Sequence, residues 1–135
     1  MYNGIVNVYK EAGYTSHDVV AKLRGIFGQK QIGHTGTLDP MAEGVLIILL
    51  GKATKLADLV IAKDKSYIAS MKLGITTDTD DITGTIKKEC DVNLLFGDLD
   101  KLEEDIRSIF KGLLGRSMQI PPMYSAIKIN GKKLY

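Results

Sequence analysis

The 135-residue sequence has little of what marks secreted, membrane-spanning or zinc-binding proteins. Its single cysteine, Cys90, cannot form an internal disulfide and lacks the companion ligands of a zinc site. The longest uninterrupted apolar run, Val45 to Leu50, is far too short to cross a bilayer. The first ten residues hold no apolar run of the length that a signal peptide needs. We therefore expect a soluble cytoplasmic protein that does not associate with membranes.

Net charge is also small, because 18 basic and 16 acidic side chains leave a balance of +2. The distribution of charge is more informative than the total. Residues 111–135 contain no acid, and their basic residues are Lys111, Arg116, Lys128, Lys132 and Lys133. A stretch with one sign of charge suits a nucleic-acid phosphate backbone, and equally a solvated surface strand and turn.

Hydrophobic periodicity predicts eight elements in the order β-α-β-α-β-β-α-β, without internal repeats or low-complexity tracts. The predicted strands are 4–9, 45–50, 66–73, 85–88 and 123–129. The predicted helices are 16–27, 52–62 and 99–113, and Asn130-Gly131 is a hairpin-turn signal. This order is typical of an α+β fold in which helices pack on a sheet.

The first two predicted helices have assignable inner faces, and the first also has assignable ends. Thr15 or Ser16 can cap the first helix, with Asp18 placed for a capping box, and Gly28 can end it. Its predicted inner face is Val19, Val20, Leu23, Ile26 and Phe27. The predicted inner face of the second helix is Ala53, Leu56, Ala57 and Val60.

The most informative segment is the loop from Gly33 to Glu43, which is followed by Gly44 and the apolar run. Glycine permits φ above zero and close approach of the backbone to a ligand. Pro40 stiffens the chain directly after Asp39. This combination predicts a catalytic or binding loop held by a rigid scaffold.

Several segments, taken in order, resemble the TruB-type tRNA pseudouridine synthases. GHTGTLDPMAEGVL resembles the signature loop of that family, and Val8 to Ser16 resembles its K-P-x-G-x-T-S segment. Glu11 stands where the family usually has proline, which makes this segment less rigid than the family pattern. The other matching segments are Gly51–Lys55, Asp64–Tyr67, Leu73–Gly74, Thr77–Asp80, Gln119–Lys128 and Gly131–Tyr135.

The resemblance implies a pseudouridine synthase-like α+β fold with a mixed, largely antiparallel sheet. It also implies an isomerase that flips a T-loop uridine out of tRNA, breaks its C1′–N1 bond and reattaches the base through C5. Asp39 is then the catalytic residue, as nucleophile, electrostatic stabiliser or base, and no cofactor is needed. The ending MYSAIKINGKKLY resembles the stand-alone bacterial enzymes more than the guide-RNA-dependent relatives, which remain an alternative.

The resemblance also suggests four further substrate-binding residues. His34 is expected to contact RNA near the extruded nucleotide, although a lone histidine is more often structural. Tyr67 is expected against the target base, although an aromatic residue on the inner face of a strand is usually core. Lys10 and Lys128 are candidates for phosphate contacts, although each taken alone is more often a solvated lysine. The second histidine, His17, is expected on the surface.

The sequence stops at Tyr135, soon after the hairpin signal, whereas the family continues well beyond that point. We therefore expect residues 1–135 to be the N-terminal part of the catalytic domain. The downstream half, with an arginine that pairs with the aspartate, and a C-terminal RNA-binding domain would then be absent. The alternatives are association through an unpaired sheet edge, a second chain that supplies the missing half, and an RNA-binding fragment without turnover.

Overall fold

A computed structural model of the chain describes residues 1–92, 99–118, 128–129 and 132–133, and it divides into two compact units, Met1–Tyr67 and Ile68–Tyr135. The strands are β1 Gly4–Lys10, β2 Ile32–His34, β3 Gly44–Leu50, β4 Ile75–Thr77, β5 Ile86–Glu89, β6 Lys128–Ile129 and β7 Lys132–Lys133. The α-helices are α1 Ser16–Phe27, α2 Ala57–Ile61 and α3 Leu99–Gly112, and a 3₁₀ helix covers Gly51–Leu56. The described elements form an α+β arrangement in which every strand pair is antiparallel, which confirms the predicted fold class.

The first unit contains a three-stranded sheet in the order β1-β3-β2. β3 is central because its apolar residues can be covered on both sides, and it pairs with β1 from Gly4↔Leu50 to Lys10↔Gly44. The predictions of β1 and β3 are confirmed. β2 was not predicted and overlaps the start of the predicted loop, since three residues are too few to show an alternating pattern.

Helix α1 covers one face of this sheet. The buried core consists of Val19, Val20, Ile32, Leu46, Ile48 and Leu50, with Leu23 and Phe27 packed against it. The predicted inward orientation of Ile26 is wrong: this residue is 74% exposed, although the next residue, Phe27, packs against the core. The predicted capping box is confirmed: the Thr15 hydroxyl accepts from the Asp18 amide, and Asp18 Oδ2 accepts from the Thr15 amide. Gly28 ends the helix in the left-handed conformation, as predicted.

The predicted helix over residues 52–62 is only partly correct, since it begins as the 3₁₀ helix and becomes α-helical at Ala57. The change from three to 3.6 residues per turn breaks the continuous inner face that the prediction assumed. Leu56, at the junction, is 42% exposed instead of inward.

In the second unit, β4 pairs with β5 and β6 pairs with β7. The prediction of a strand over 66–73 is wrong, because these residues have no regular structure and Ile68 is fully exposed. Alternation specifies a strand only where a partner strand takes up the backbone hydrogen bonds. Instead β4 forms between the predicted strands 66–73 and 85–88, where the sequence predicted no strand. The predicted helix over 99–113 is confirmed as α3.

Residues 123–127 of the predicted strand 123–129 lie outside the described residues, as does the predicted turn at Asn130-Gly131. The flanking residues pair in antiparallel register, Lys128↔Lys133 and Ile129↔Lys132, which is the pairing that a hairpin requires. Within the described part of the chain, no helix has both the length and the apolar character needed to span a membrane.

Candidate active site

The predicted functional loop connects two neighbouring antiparallel strands, leaving β2 at His34 and entering β3 at Gly44. Thr35 is buried, and its amide donates to Ile47 O at 3.0 Å, so the loop begins on the sheet. Gly36 and Gly44 have φ values of 131° and 138°, which L side chains rarely adopt. Gly33, in contrast, lies inside β2 without a positive φ. The loop therefore turns at its two ends and is rooted in the core.

Leu38, the residue before Asp39, is held by helix α1. Its side chain packs against the core, and its amide donates to Ser16 Oγ at 2.9 Å. The Ser16 hydroxyl donates in turn to Leu38 O at 3.3 Å. Because Ser16 is buried, water does not compete for these two bonds. The first turn of α1 thus fixes the backbone immediately before the candidate catalytic residue.

Pro40, the residue after Asp39, is held by the end of β1 and by the segment that links β1 to α1. Its carbonyl accepts from the Gly13 amide at 2.8 Å and from Lys10 Nζ at 3.3 Å. Lys10 Nζ also donates to the carbonyls of Glu11 at 3.0 Å and Tyr14 at 2.7 Å. The backbone after Asp39 is therefore tied to the same part of the fold as the backbone before it.

This placement corrects the expectation for Lys10. The side chain is 0% exposed, and each of its three ammonium protons has a backbone acceptor. It is neither a solvated lysine nor free to contact a phosphate in this structure. A lysine at the end of a strand gives no sequence signal of burial, because the acceptors come from a turn and a distant loop.

Asp39 lies between these two held residues and is itself exposed. Its carbonyl accepts from the Ala42 amide at 3.0 Å, which closes a turn behind it. Its carboxylate makes no hydrogen bond or ion pair with any residue that the structure describes. The geometry is that of a fixed, available carboxylate on a stiff loop, which can act as an acid-base group, a nucleophile or an electrostatic stabiliser.

His34 is half-buried at the start of the loop. Its Nδ1 lies 2.7 Å from Gly36 O, and because a carbonyl can only accept, Nδ1 carries the proton. Nε2 is left available to a ligand. The ring of His17 lies 6.5 Å from the His34 ring, centroid to centroid, at 86°. His17 is exposed, as the sequence predicted, yet it lies against the loop.

Tyr9 and Glu43 form an exposed pair that sequence reasoning missed. The Tyr9 hydroxyl donates to Glu43 Oε2 at 2.8 Å, and this bond, with the negative charge of Glu43, raises the pKa of Tyr9. The register of β1 on β3 brings Tyr9 opposite Val45, close to Glu43. Only that cross-strand register could have revealed the pair.

The remaining predicted site residues are not drawn into this arrangement by any described contact. Tyr67 is 71% exposed at the end of the first unit, so the core interpretation of this residue is wrong. Lys128 begins β6, and its side chain lies outside the described part of the structure. No group of three or more His, Cys, Asp or Glu side chains among the described residues could hold a metal ion.

Comparison with known proteins decides the family. The family model described as TruB family pseudouridylate synthase (N terminal domain) matches residues 24–135. The chain belongs to the TruB family. It is 50% identical over 135 residues to tRNA pseudouridine synthase B of Staphylococcus saprophyticus. Over 133 residues it is 51% identical to the Lactococcus lactis protein of that name, and over 135 residues 52% identical to the Oenococcus oeni protein.

These TruB-family alignments cover 100%, 98% and 100% of the chain, but only 43%, 39% and 44% of the relatives. The chain therefore spans about two fifths of the length of the curated relatives it matches. A chain in a solved H/ACA RNP bound to a substrate RNA containing 2′-deoxyuridine matches at 45% identity, with a TM-score of 0.40. That match covers 42% of this chain and 18% of the other.

Within the TruB-family chain, the family model begins at Arg24, whereas the alignments with the Staphylococcus saprophyticus and Oenococcus oeni proteins cover 100% of the chain. Lys10, Gly13 and Ser16, which hold the two neighbours of Asp39, precede the range of the family model. The loop with Asp39 therefore lies within the range of the family model, whereas three residues that hold this loop lie before it.

Proposed function

We propose that this chain carries the catalytic aspartate, Asp39, of an isomerase that converts a T-loop uridine of tRNA to pseudouridine. The observation that carries the proposal is the exposed carboxylate of Asp39, which pairs with no residue that the structure describes and lies between two residues that the fold holds by hydrogen bonds. Membership of the TruB family and about half-identical relatives named tRNA pseudouridine synthase B support it.

The reaction needs a carboxylate of this kind. The bond between uracil N1 and sugar C1′ breaks, the base turns, and a new bond joins C5 to C1′. C5 then loses its proton while N1 gains one, so the product is an isomer of the substrate. As the N1–C1′ bond breaks, the sugar carbon acquires positive character, as in glycoside hydrolysis. Asp39 can stabilise that charge, attack C1′ or take the proton, and all three roles require it close to the sugar.

The base has to leave the RNA stack before its glycosidic bond can be reached. In this proposal His34 contacts the RNA beside the extruded nucleotide, using the Nε2 atom that its bond to Gly36 leaves available. Tyr67 stacks on the extruded base, since its exposed ring leaves a face accessible. Such stacking is worth about 1–3 kcal/mol per base. Lys128 neutralises a phosphate nearby.

The test is Asp39→Asn in the natural gene product, assayed with a tRNA transcript by release of tritium from uridine labelled at C5. Asn keeps the shape of the side chain but not its charge, so we expect turnover to be lost and tRNA affinity to be retained. Asp58→Asn, which changes an exposed carboxylate on α2 in the same unit, is the matched control. Near-normal turnover by Asp39→Asn would exclude Asp39 as the catalytic residue.

The same assay separates the competing interpretations. A wild-type protein that binds tRNA and releases no tritium is an RNA-binding module. A protein that turns over only when a guide RNA is added belongs with the guide-dependent relatives.

A further inference from the structure

The ring of His34 is constrained from two directions. Its Nδ1 atom donates to Gly36 O at 2.7 Å, which ties one edge of the imidazole to the loop. The ring of His17 stands nearly perpendicular to it, at 86° and 6.5 Å between centroids. Edge-to-face aromatic pairs have centroids roughly 4.5–7 Å apart, so this is a ring contact of the ordinary kind.

His17 is held in this place by the same turn that holds the loop. It follows Ser16, whose buried hydroxyl bonds Leu38 twice, and Thr15 caps the helix with Asp18. The backbone of His17 is therefore anchored although its side chain is exposed. Its imidazole makes no hydrogen bond with any residue that the structure describes. Its contact with the His34 ring is its one described ring contact.

We propose that His17 is a positioning residue that sets the orientation of the His34 ring and, through it, the direction of Nε2. The contact is aromatic, so any planar ring at position 17 serves, and no nitrogen of His17 has to meet the ligand. The consequence for RNA rests on the proposed function, because it assumes that His34 contacts the substrate. The ring contact itself does not rest on that function.

The first experiment needs no activity. The chain contains two histidines, so carbon- and nitrogen-resolved NMR spectra of its imidazoles contain two ring systems. In the wild-type chain we expect NOEs between the two rings and the His34 nitrogen shifts of an Nδ1-protonated tautomer. In His17→Ala we expect the His34 ring protons to shift as the ring current is lost, and in His17→Phe to return toward the wild-type values. Unchanged His34 resonances in His17→Ala would overturn the contact.

The second experiment measures binding of a T-stem-loop RNA by fluorescence anisotropy. We expect His17→Ala to weaken binding about 2- to 10-fold, the range that an aromatic pair supports, and His17→Phe to restore most of it. Ile26→Ala changes an exposed side chain at the other end of α1 and is the matched control, with thermal unfolding measured for each variant.

The outcomes separate this inference from the proposed function. Wild-type affinity in His17→Ala would overturn the positioning role. Binding by His17→Phe as weak as that of His17→Ala would overturn it as well, because a nitrogen of His17 would then contact the RNA directly. A wild-type protein that shows the ring contact but binds no RNA would defeat the proposed function and leave the orientation of His34 standing.

Discussion

The two units of the chain use amphipathic helices with different results. In the first unit, α1 buries Val19 and Val20 in a core shared with the sheet. In the second unit, α3 has the same kind of apolar stripe, yet Ile109 and Phe110 are 61% and 53% exposed. None of the described side chains of the second unit is buried. An apolar stripe therefore predicts that a helix needs a partner, without specifying which element provides it.

The loops of the two units differ in the same way. The polar loop of the second unit is organised by its own residues, since Asp81 accepts from the Thr79 hydroxyl and from the amide and hydroxyl of Thr83. The loop that carries Asp39 is organised by Ser16, 22 residues from Leu38, and by Lys10, 30 residues from Pro40. The candidate catalytic loop thus depends on the tertiary fold, and the other loop depends on local sequence.

The largest expected effect comes from removing the remote support after Asp39. Lys10→Met keeps a long side chain but removes the ammonium donor from the carbonyls of Glu11, Tyr14 and Pro40, of which Pro40 still accepts from the Gly13 amide. We expect a loss of about 2–4 kcal/mol in the free energy of unfolding and a sharp fall in turnover. Lys30→Met, an exposed lysine in the same unit, is the control for urea unfolding. A loss below about 0.5 kcal/mol would mean that the loop does not depend on Lys10.

A smaller effect is expected from removing the support before Asp39. Ser16→Ala leaves the amide of the half-buried Leu38 without an acceptor, which costs about 1–2 kcal/mol. Because the hydroxyl is buried, we expect kcat to fall while KM for tRNA changes little. Hydrogen exchange of the Leu38 amide measures the lost bond directly, with the Thr35 amide as internal reference. Unchanged protection of Leu38 in Ser16→Ala would argue against this support.

The local loop of the second unit should respond to acid. Hydrogen bonds from Thr83 and Thr79 hold the pKa of Asp81 below its ordinary value of 3.8. A carboxyl whose folded pKa is lowered contributes stability above its unfolded pKa and loses it as pH falls through the folded pKa. In Asp81→Ala, the stability of the second unit should therefore fall less steeply as pH decreases below about 4. The unfolding of the first unit at neutral pH should be unchanged. Thermal unfolding measured at several acid pH values tests this prediction. A change in the unfolding transition of the first unit would show that the effect of Asp81 is not local.

The smallest effect is expected for the exposed pair on the first sheet. The hydrogen bond to Glu43 raises the pKa of Tyr9 from 10.0. The contribution of this bond to stability is therefore present below pH 10.0 and is lost as pH rises through the raised pKa. Tyr9→Phe should therefore change stability slightly at neutral pH and not at strongly alkaline pH. Ultraviolet titration of the tyrosines checks the shift, and a titration of Glu43→Gln identical to wild type would rule out this cause.

Features that depend on neighbouring residues could be predicted from the sequence. The capping box of α1 joins residues three apart, and Gly28 ends the helix by its own backbone freedom. β1 and β3 show clear apolar patterns, and α3 shows a helical one. The loop with Asp39 between glycines and before Pro40 was identifiable because its residue types and their order carry the signal.

Features that depend on distant residues were decided by the tertiary structure. The segment 66–73 alternates like a strand but has no strand structure, because alternation cannot supply a partner for the backbone. Lys10 is buried because carbonyls from a turn and from Pro40 surround its ammonium group, and the Tyr9–Glu43 bond joins residues 34 apart. The sequence thus specified which carboxylate stands in the loop. The fold specified what holds it in place, since the supporting donors and acceptors become neighbours only when β1, α1 and the loop pack together.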